Sequence, residues 1–90
     1  MDRMSFEEVD EGLTGLAWKR VDNELVLELT MADFASALEF VNRVGVLAEE
    51  VNHHPDIDIR WNRVVLRLTT HTMGALTRKD LELAKMISSL

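Results

Sequence analysis

Ile57-Asp58-Ile59-Arg60-Trp61-Asn62-Arg63-Val64-Val65-Leu66-Arg67-Leu68-Thr69 is the stretch that decides the fold. Its first half alternates apolar and charged residues with period two, the mark of a strand with one buried face. Its second half is rich in β-branched and aliphatic residues, so the two halves read as a hairpin, Ile57–Trp61 and Val64–Thr69. A two-residue turn at Asn62-Arg63 pairs Trp61 with Val64, Ile59 with Leu66 and Ile57 with Leu68 on an apolar face. The opposite face then pairs Asp58 with Arg67. A slip of one residue would carry charge into the apolar face, which fixes the phase of the pairing. The turn is the weak element, because Asn-Arg lacks the glycine that primed hairpin turns favour. On this alternation Trp61 shares the core face with Ile57 and Ile59.

Working outward, a similar hairpin lies upstream. Leu16–Val21 and Glu24–Leu29 flank Asp22-Asn23. A two-residue turn there sets Trp18 opposite Leu27 and Leu16 opposite Leu29. Helix-start signatures punctuate the chain at Ser5-x-x-Glu8, Thr30-x-x-Asp33 and Thr77-x-x-Asp80. They predict a short helix from Phe6, a long one ending near Asn52, and a last one after Thr77. The element order is α-ββα-ββα, and its two ββα halves echo each other. Leu29-Thr30-x-x-Asp33-Phe34 matches Leu76-Thr77-x-x-Asp80-Leu81. The expected architecture is α+β: a four-stranded antiparallel sheet with helices packed on one face.

The 90 residues form a single expected domain, 1–90, and a domain of this size is marginal alone. There is no cysteine to staple it, so oligomerisation is the remaining remedy. The long helix supports this. It carries one stripe of Phe34, Leu38, Val41, Gly45 and Ala48 and a second of Phe40, Val44, Leu47 and Val51. Its own sheet covers one side, and the second stripe is expected to meet another copy in a homodimer or homotetramer. The net charge of −6 and the lack of basic clusters argue against binding nucleic acid. The acidic N-terminal segment lacks the apolar run of a signal peptide, and no apolar stretch is long enough to span a membrane. A cytoplasmic location is expected.

All three histidines fall at one end of the second hairpin, in Asn52-His53-His54-Pro55 and Thr70-His71-Thr72. Continuing the hairpin register sets His54 opposite His71, with Cβ atoms roughly 5 Å apart. A histidine before proline also suits a helix C-terminus, where its positive charge meets the dipole. Convergence of three imidazoles, with none elsewhere, favours proton transfer near neutral pH. Three imidazoles can also hold zinc, but adjacent His53 and His54 point different ways, so no metal site is expected. Glu49 stands one helical turn before His53, within reach of an i,i+4 contact.

The pattern Glu49-x-x-x-His53-His54-Pro55, five residues, Trp61, nine residues, His71, eight residues, Asp80 resembles the signature of the pterin-4a-carbinolamine dehydratases. Asp33-Phe34, Ala48-Glu49 and Leu76-Thr77-x-x-Asp80-x-x-Leu83-Ala84 extend the likeness. Thr72 departs from it where an acidic residue is usual, Ala75 where a second glycine is usual, and Trp61 where tyrosine is more common. The resemblance implies a carbon–oxygen lyase, a 4a-hydroxytetrahydrobiopterin dehydratase, that removes water from a 4a-hydroxytetrahydropterin without metal or cofactor. It implies His53, His54 and His71 as catalytic residues: His54 as principal proton carrier, His71 assisting the leaving hydroxyl, His53 positioning the pterin. Glu49 and Asp80 would support them, and Trp61 could wall the substrate pocket. Family members form dimers and tetramers, and some in animals stabilise dimers of a transcription factor. That leaves a protein-interaction role, or a catalytically weak homologue, as the alternative.

Overall fold

The computed structural model describes residues 2–90. The order is α1 (Phe6–Gly12), β1 (Lys19–Val21), β2 (Glu24–Thr30), α2 (Phe34–Val51), β3 (Asp56–Arg60), β4 (Arg63–Leu68) and α3 (Arg78–Ser88). The strands form one antiparallel sheet in the order β1-β2-β4-β3. Each hairpin thus places its second strand at the centre, and each central strand leads into a helix. The inward residues Leu25, Leu27, Val64, Leu66 and Leu68 meet Val44, Leu81, Leu83, Ala84 and Ile87 in a single core. Burying aliphatic side chains of this kind stabilises by about 1.5–3 kcal/mol each.

Helix α1 starts with the Ser5–Glu8 capping box and is pinned to β1 by Arg20. That guanidinium bonds Asp10 at 2.8 Å and lies 4.0 Å above the Phe6 ring. At Gly12 the helix approaches α3 so closely that a Cβ would stand 2.6 Å from Leu81 Cδ2.

The first hairpin has the expected register, with Lys19 opposite Val26 and Val21 opposite Glu24. The second differs by two residues. Ile57 faces Leu66, Ile59 faces Val64, and Arg67 faces Asp56 in place of Asp58. A shift of two preserves which side chains point inward, so alternation cannot distinguish the registers. A tertiary contact decides. Asn62 Nδ2 donates to the Met31 carbonyl at 2.9 Å, and the Met31 N–H donates to the Asn62 carbonyl at 2.8 Å. With Asn62 docked on the end of β2, the turn becomes Trp61-Asn62. Trp61 adopts a φ of +48°, unusual for a bulky residue, and is 67% exposed. It is therefore not a core residue.

The inward face of α2 draws on both expected stripes, since Val41 packs on the core and Ala48 is buried, while Val51 of the second stripe is exposed. Val44 is fully buried, and Phe40 and Leu47 pack against the same core, while Phe34 and Leu38 are 45% and 40% exposed. Only the sheet's position shows which residues of the two stripes turn inward. The start of α2 departs from the internal echo too. Asp33 is itself the N-cap, accepting from Ser36 N–H, and Thr30 ends β2, whereas Thr77 is the N-cap of α3 and Asp80 lies one turn inside.

Candidate active site

Helix α2 stops at Asn52, which takes the left-handed conformation, φ 51° and ψ 45°. Asparagine tolerates that region better than most residues. The reversal is closed by the His53 N–H, which donates to the Ala48 carbonyl at 3.1 Å, as in a Schellman ending. His53 is thereby turned off the helical surface that carries Glu49. Glu49 Oε2 instead meets His54 Nε2 at 2.5 Å, both side chains being exposed. The expected Glu49–His53 contact is replaced by Glu49–His54 for this backbone reason.

His53 turns toward α3, where its Nε2 meets Asp80 Oδ1 at 2.5 Å. The Asp80 side chain is entirely buried and its other oxygen is occupied as well. Oδ2 accepts from the Thr77 N–H at 2.9 Å and from the Thr70 hydroxyl at 2.7 Å. Thr70 and Thr77 hydroxyls lie 2.8 Å apart. A buried carboxylate is costly unless its oxygens are hydrogen-bonded, and here both are. The two threonines belong to the site, and sequence reasoning passed over them. The signal available was their place beside His71 and at the head of α3.

His71 follows Thr70 directly and sits exposed on a tight turn. That turn is closed by the Thr70 N–H donating to the Ala75 carbonyl at 3.1 Å and the Gly74 N–H donating to the His71 carbonyl at 3.2 Å. Gly74 has a φ of +59°, which glycine adopts freely. The two-residue register shift removes His54 from its expected place opposite His71. What joins the two histidine segments is Asp80, bonded to His53 on one side and to Thr70 on the other. Trp61 lies at the far end of β3 from the histidines, a five-residue strand about 17 Å long.

His53 also lines a cleft of about 120 Å³ between the end of α2 and α3, with Val51, Lys79, Glu82, Leu83 and Met86. Among the described residues no three His, Asp or Glu side chains are placed to share a metal ion. Chemically, the site offers two imidazoles, each bonded to a carboxylate, and a third on the adjoining turn.

This arrangement can be set beside known proteins. The family model described as Pterin 4 alpha carbinolamine dehydratase matches residues 2–90. The chain belongs to this family. A relative from Thermosynechococcus vestitus, provisionally named as a pterin-4-alpha-carbinolamine dehydratase, is 44% identical over 90 residues, covering 99% of this chain and 95% of its own. One of the same provisional name from Roseiflexus sp. (strain RS-1) is 47% identical over 89 residues, covering 98% and 96%. A crystal structure of a transcriptional coactivator/pterin dehydratase from Brucella Melitensis superposes with a TM-score of 0.91 at 28% identity, covering 98% of this chain and 97% of that one. A pterin dehydratase-like protein described as a RuBisCO assembly factor in the alpha-carboxysome shares the fold, with a TM-score of 0.68 at 18% identity, covering 83% and 89%. Family membership accounts for the α-ββα-ββα architecture.

Proposed function

We propose that this protein is a dehydratase that removes water from a 4a-hydroxytetrahydropterin to give the quinonoid dihydropterin by histidine general acid/base catalysis. In the reaction N5 loses its proton, the C4a–O bond breaks, and the departing hydroxyl takes up a proton to leave as water. Oxidation state is unchanged overall. His54 serves as principal proton carrier, His71 assists the leaving hydroxyl, and His53 positions the pterin. Glu49 steadies His54 and Asp80 steadies His53. The observation that carries this reading is the pairing of each imidazole of the doublet with its own carboxylate, His53 with Asp80 and His54 with Glu49. Such a partner fixes ring orientation and raises basicity. Positioned acids and bases contribute roughly 10²–10⁴-fold to a rate.

The His53 cleft is below the roughly 300 Å³ of an ordinary ligand pocket, and His54 and His71 are exposed. A homodimer or homotetramer, acting in the cytoplasm, would close the ledge they form. A substrate-wall role for Trp61 then belongs to an adjoining chain, since within one chain the length of β3 separates it from the histidines. His54→Ala should lower turnover of a 4a-hydroxytetrahydropterin by at least about a hundredfold with the circular dichroism spectrum unchanged. Near-normal turnover by the folded variant would remove His54 from the mechanism.

A second reading rests on the exposed apolar residues Phe34, Leu38 and Val46 of α2. They suit a protein-interaction role like that in the Brucella relative's name, transcriptional coactivator, and would not need the histidines. Binding that survives His54→Ala would separate the two roles.

A further inference from the structure

The hydrogen bonds around Asp80 have a direction, and that direction reaches the His53 ring. An ionised aspartate only accepts, so each group touching it donates. The Thr77 peptide N–H, 2.9 Å from Oδ2, has no other option. Thr70 has one hydroxyl hydrogen, and its 2.7 Å contact with Oδ2 uses it. In the 2.8 Å contact between the two hydroxyls Thr77 is then the donor. Thr77 Oγ1 accepts in turn from the Lys79 N–H at 3.3 Å. The chain of donors runs one way, from Lys79 through Thr77 and Thr70 to Asp80, and every buried member is satisfied.

Only the contact between Oδ1 and His53 Nε2 is left to assign. With Oδ2 taken by two donors, a carboxylate at Asp80 leaves the hydrogen of that contact to Nε2. A neutral imidazole carries one N–H, so the lone pair lies on Nδ1. Nδ1 makes no hydrogen bond to the protein among the described residues, and the Trp18 indole nitrogen is their one buried side-chain polar atom without a partner, so Nδ1 reaches solvent. From this we infer that Thr70 is a positioning residue which, with Thr77, orients Asp80 to hold His53 as the Nε2–H tautomer and leave Nδ1 as its open acceptor. His53 thus meets a ligand as an acceptor and is suited to take a hydrogen bond from a ring or exocyclic N–H. Its value to turnover rests on the dehydratase reading above. The tautomer does not.

Nitrogen-15 NMR of the full chain, at a pH where His53 is neutral, reads the tautomer directly. Wild type should show a protonated Nε2 and an unprotonated Nδ1. Thr70→Val keeps the shape and removes the donor, and should give a mixture of tautomers with a fall in kcat/KM of about tenfold, the lower end for loss of such a supporting partner. Thr70→Ser should restore both. A wild-type His53 that is Nδ1–H at that pH would overturn the inference whether or not any variant folds. So would a folded Thr70→Val protein with an unchanged tautomer. Wild type with the Nε2–H tautomer but no dehydration of a 4a-hydroxytetrahydropterin would count against the dehydratase reading and leave the assignment of the ring standing.

Discussion

The two oxygens of Asp80 do different things. Oδ2 closes the capping box of α3, and Oδ1 holds His53. Asp33 resembles it in sequence, yet it is exposed and only caps α2. Equivalent spacing therefore hid unequal roles, because an i,i+3 signature shows a cap and not what the second oxygen meets. Glu49 is the opposite case. Its bond to His54 is solvated, and exposed pairs contribute little to stability, about 0–1 kcal/mol. Glu49→Gln should lower the melting temperature by no more than about 4–8 °C while lowering turnover by about tenfold, through its proposed effect on ring orientation and basicity. Thermal melts and steady-state rates on one preparation check this. A large loss of stability would assign Glu49 a structural role.

At the scale of elements, capping governs where the site-bearing helices begin and end. Asp33 accepts the Ser36 N–H, and this backbone bond holds its carboxyl below the ordinary aspartate range. Its folded pKa is depressed, so the unfolded chain binds protons more readily in acid. The cap's contribution is complete above the unfolded pKa and is lost as pH falls through the folded one. Glu8 in α1 behaves alike, lowered first by its backbone bond to Ser5. Asp33→Asn keeps an acceptor that does not titrate. It should match wild type near neutrality and lose less melting temperature between about pH 5 and pH 2. Parallel acid melts of the two proteins would show it, and superimposable acid limbs would count against Asp33.

At the scale of the molecule, α2 has an inner and an outer apolar face. The inner face includes Val44, fully buried, and the outer includes Phe34 and Leu38. Val44→Glu would bury an unpaired carboxylate at a cost of several kcal/mol and should unfold the protomer. Leu38→Glu should leave the protomer folded and reduce the assembled mass, because its side chain is exposed within one chain. Light scattering with circular dichroism distinguishes the two outcomes. A wild-type monomer at micromolar concentration would remove the proposed oligomer.

Period-two alternation, the capping boxes at Ser5 and Thr77 and the grouping of the histidines were legible in the residues, because each depends on neighbours a few positions away. They determine the elements, their order and the chemistry available at one end of the sheet. The tertiary structure decided the rest. Registers two residues apart bury the same side chains, and docking of Asn62 on Met31 selected between them, moving Trp61 from the core into a turn. Both stripes of α2 are apolar enough to face inward, and the position of the sheet selected a face that takes Phe40 and Val44 from one and Val41 and Ala48 from the other. Glu49 lies four residues before His53 and would reach it on a continuing helix. The left-handed Asn52 broke that geometry, sent His53 to an aspartate 27 positions away and left Glu49 to His54. Local pattern specifies which groups are present, whereas their partners depend on backbone reversals and long-range packing that no short window of sequence contains.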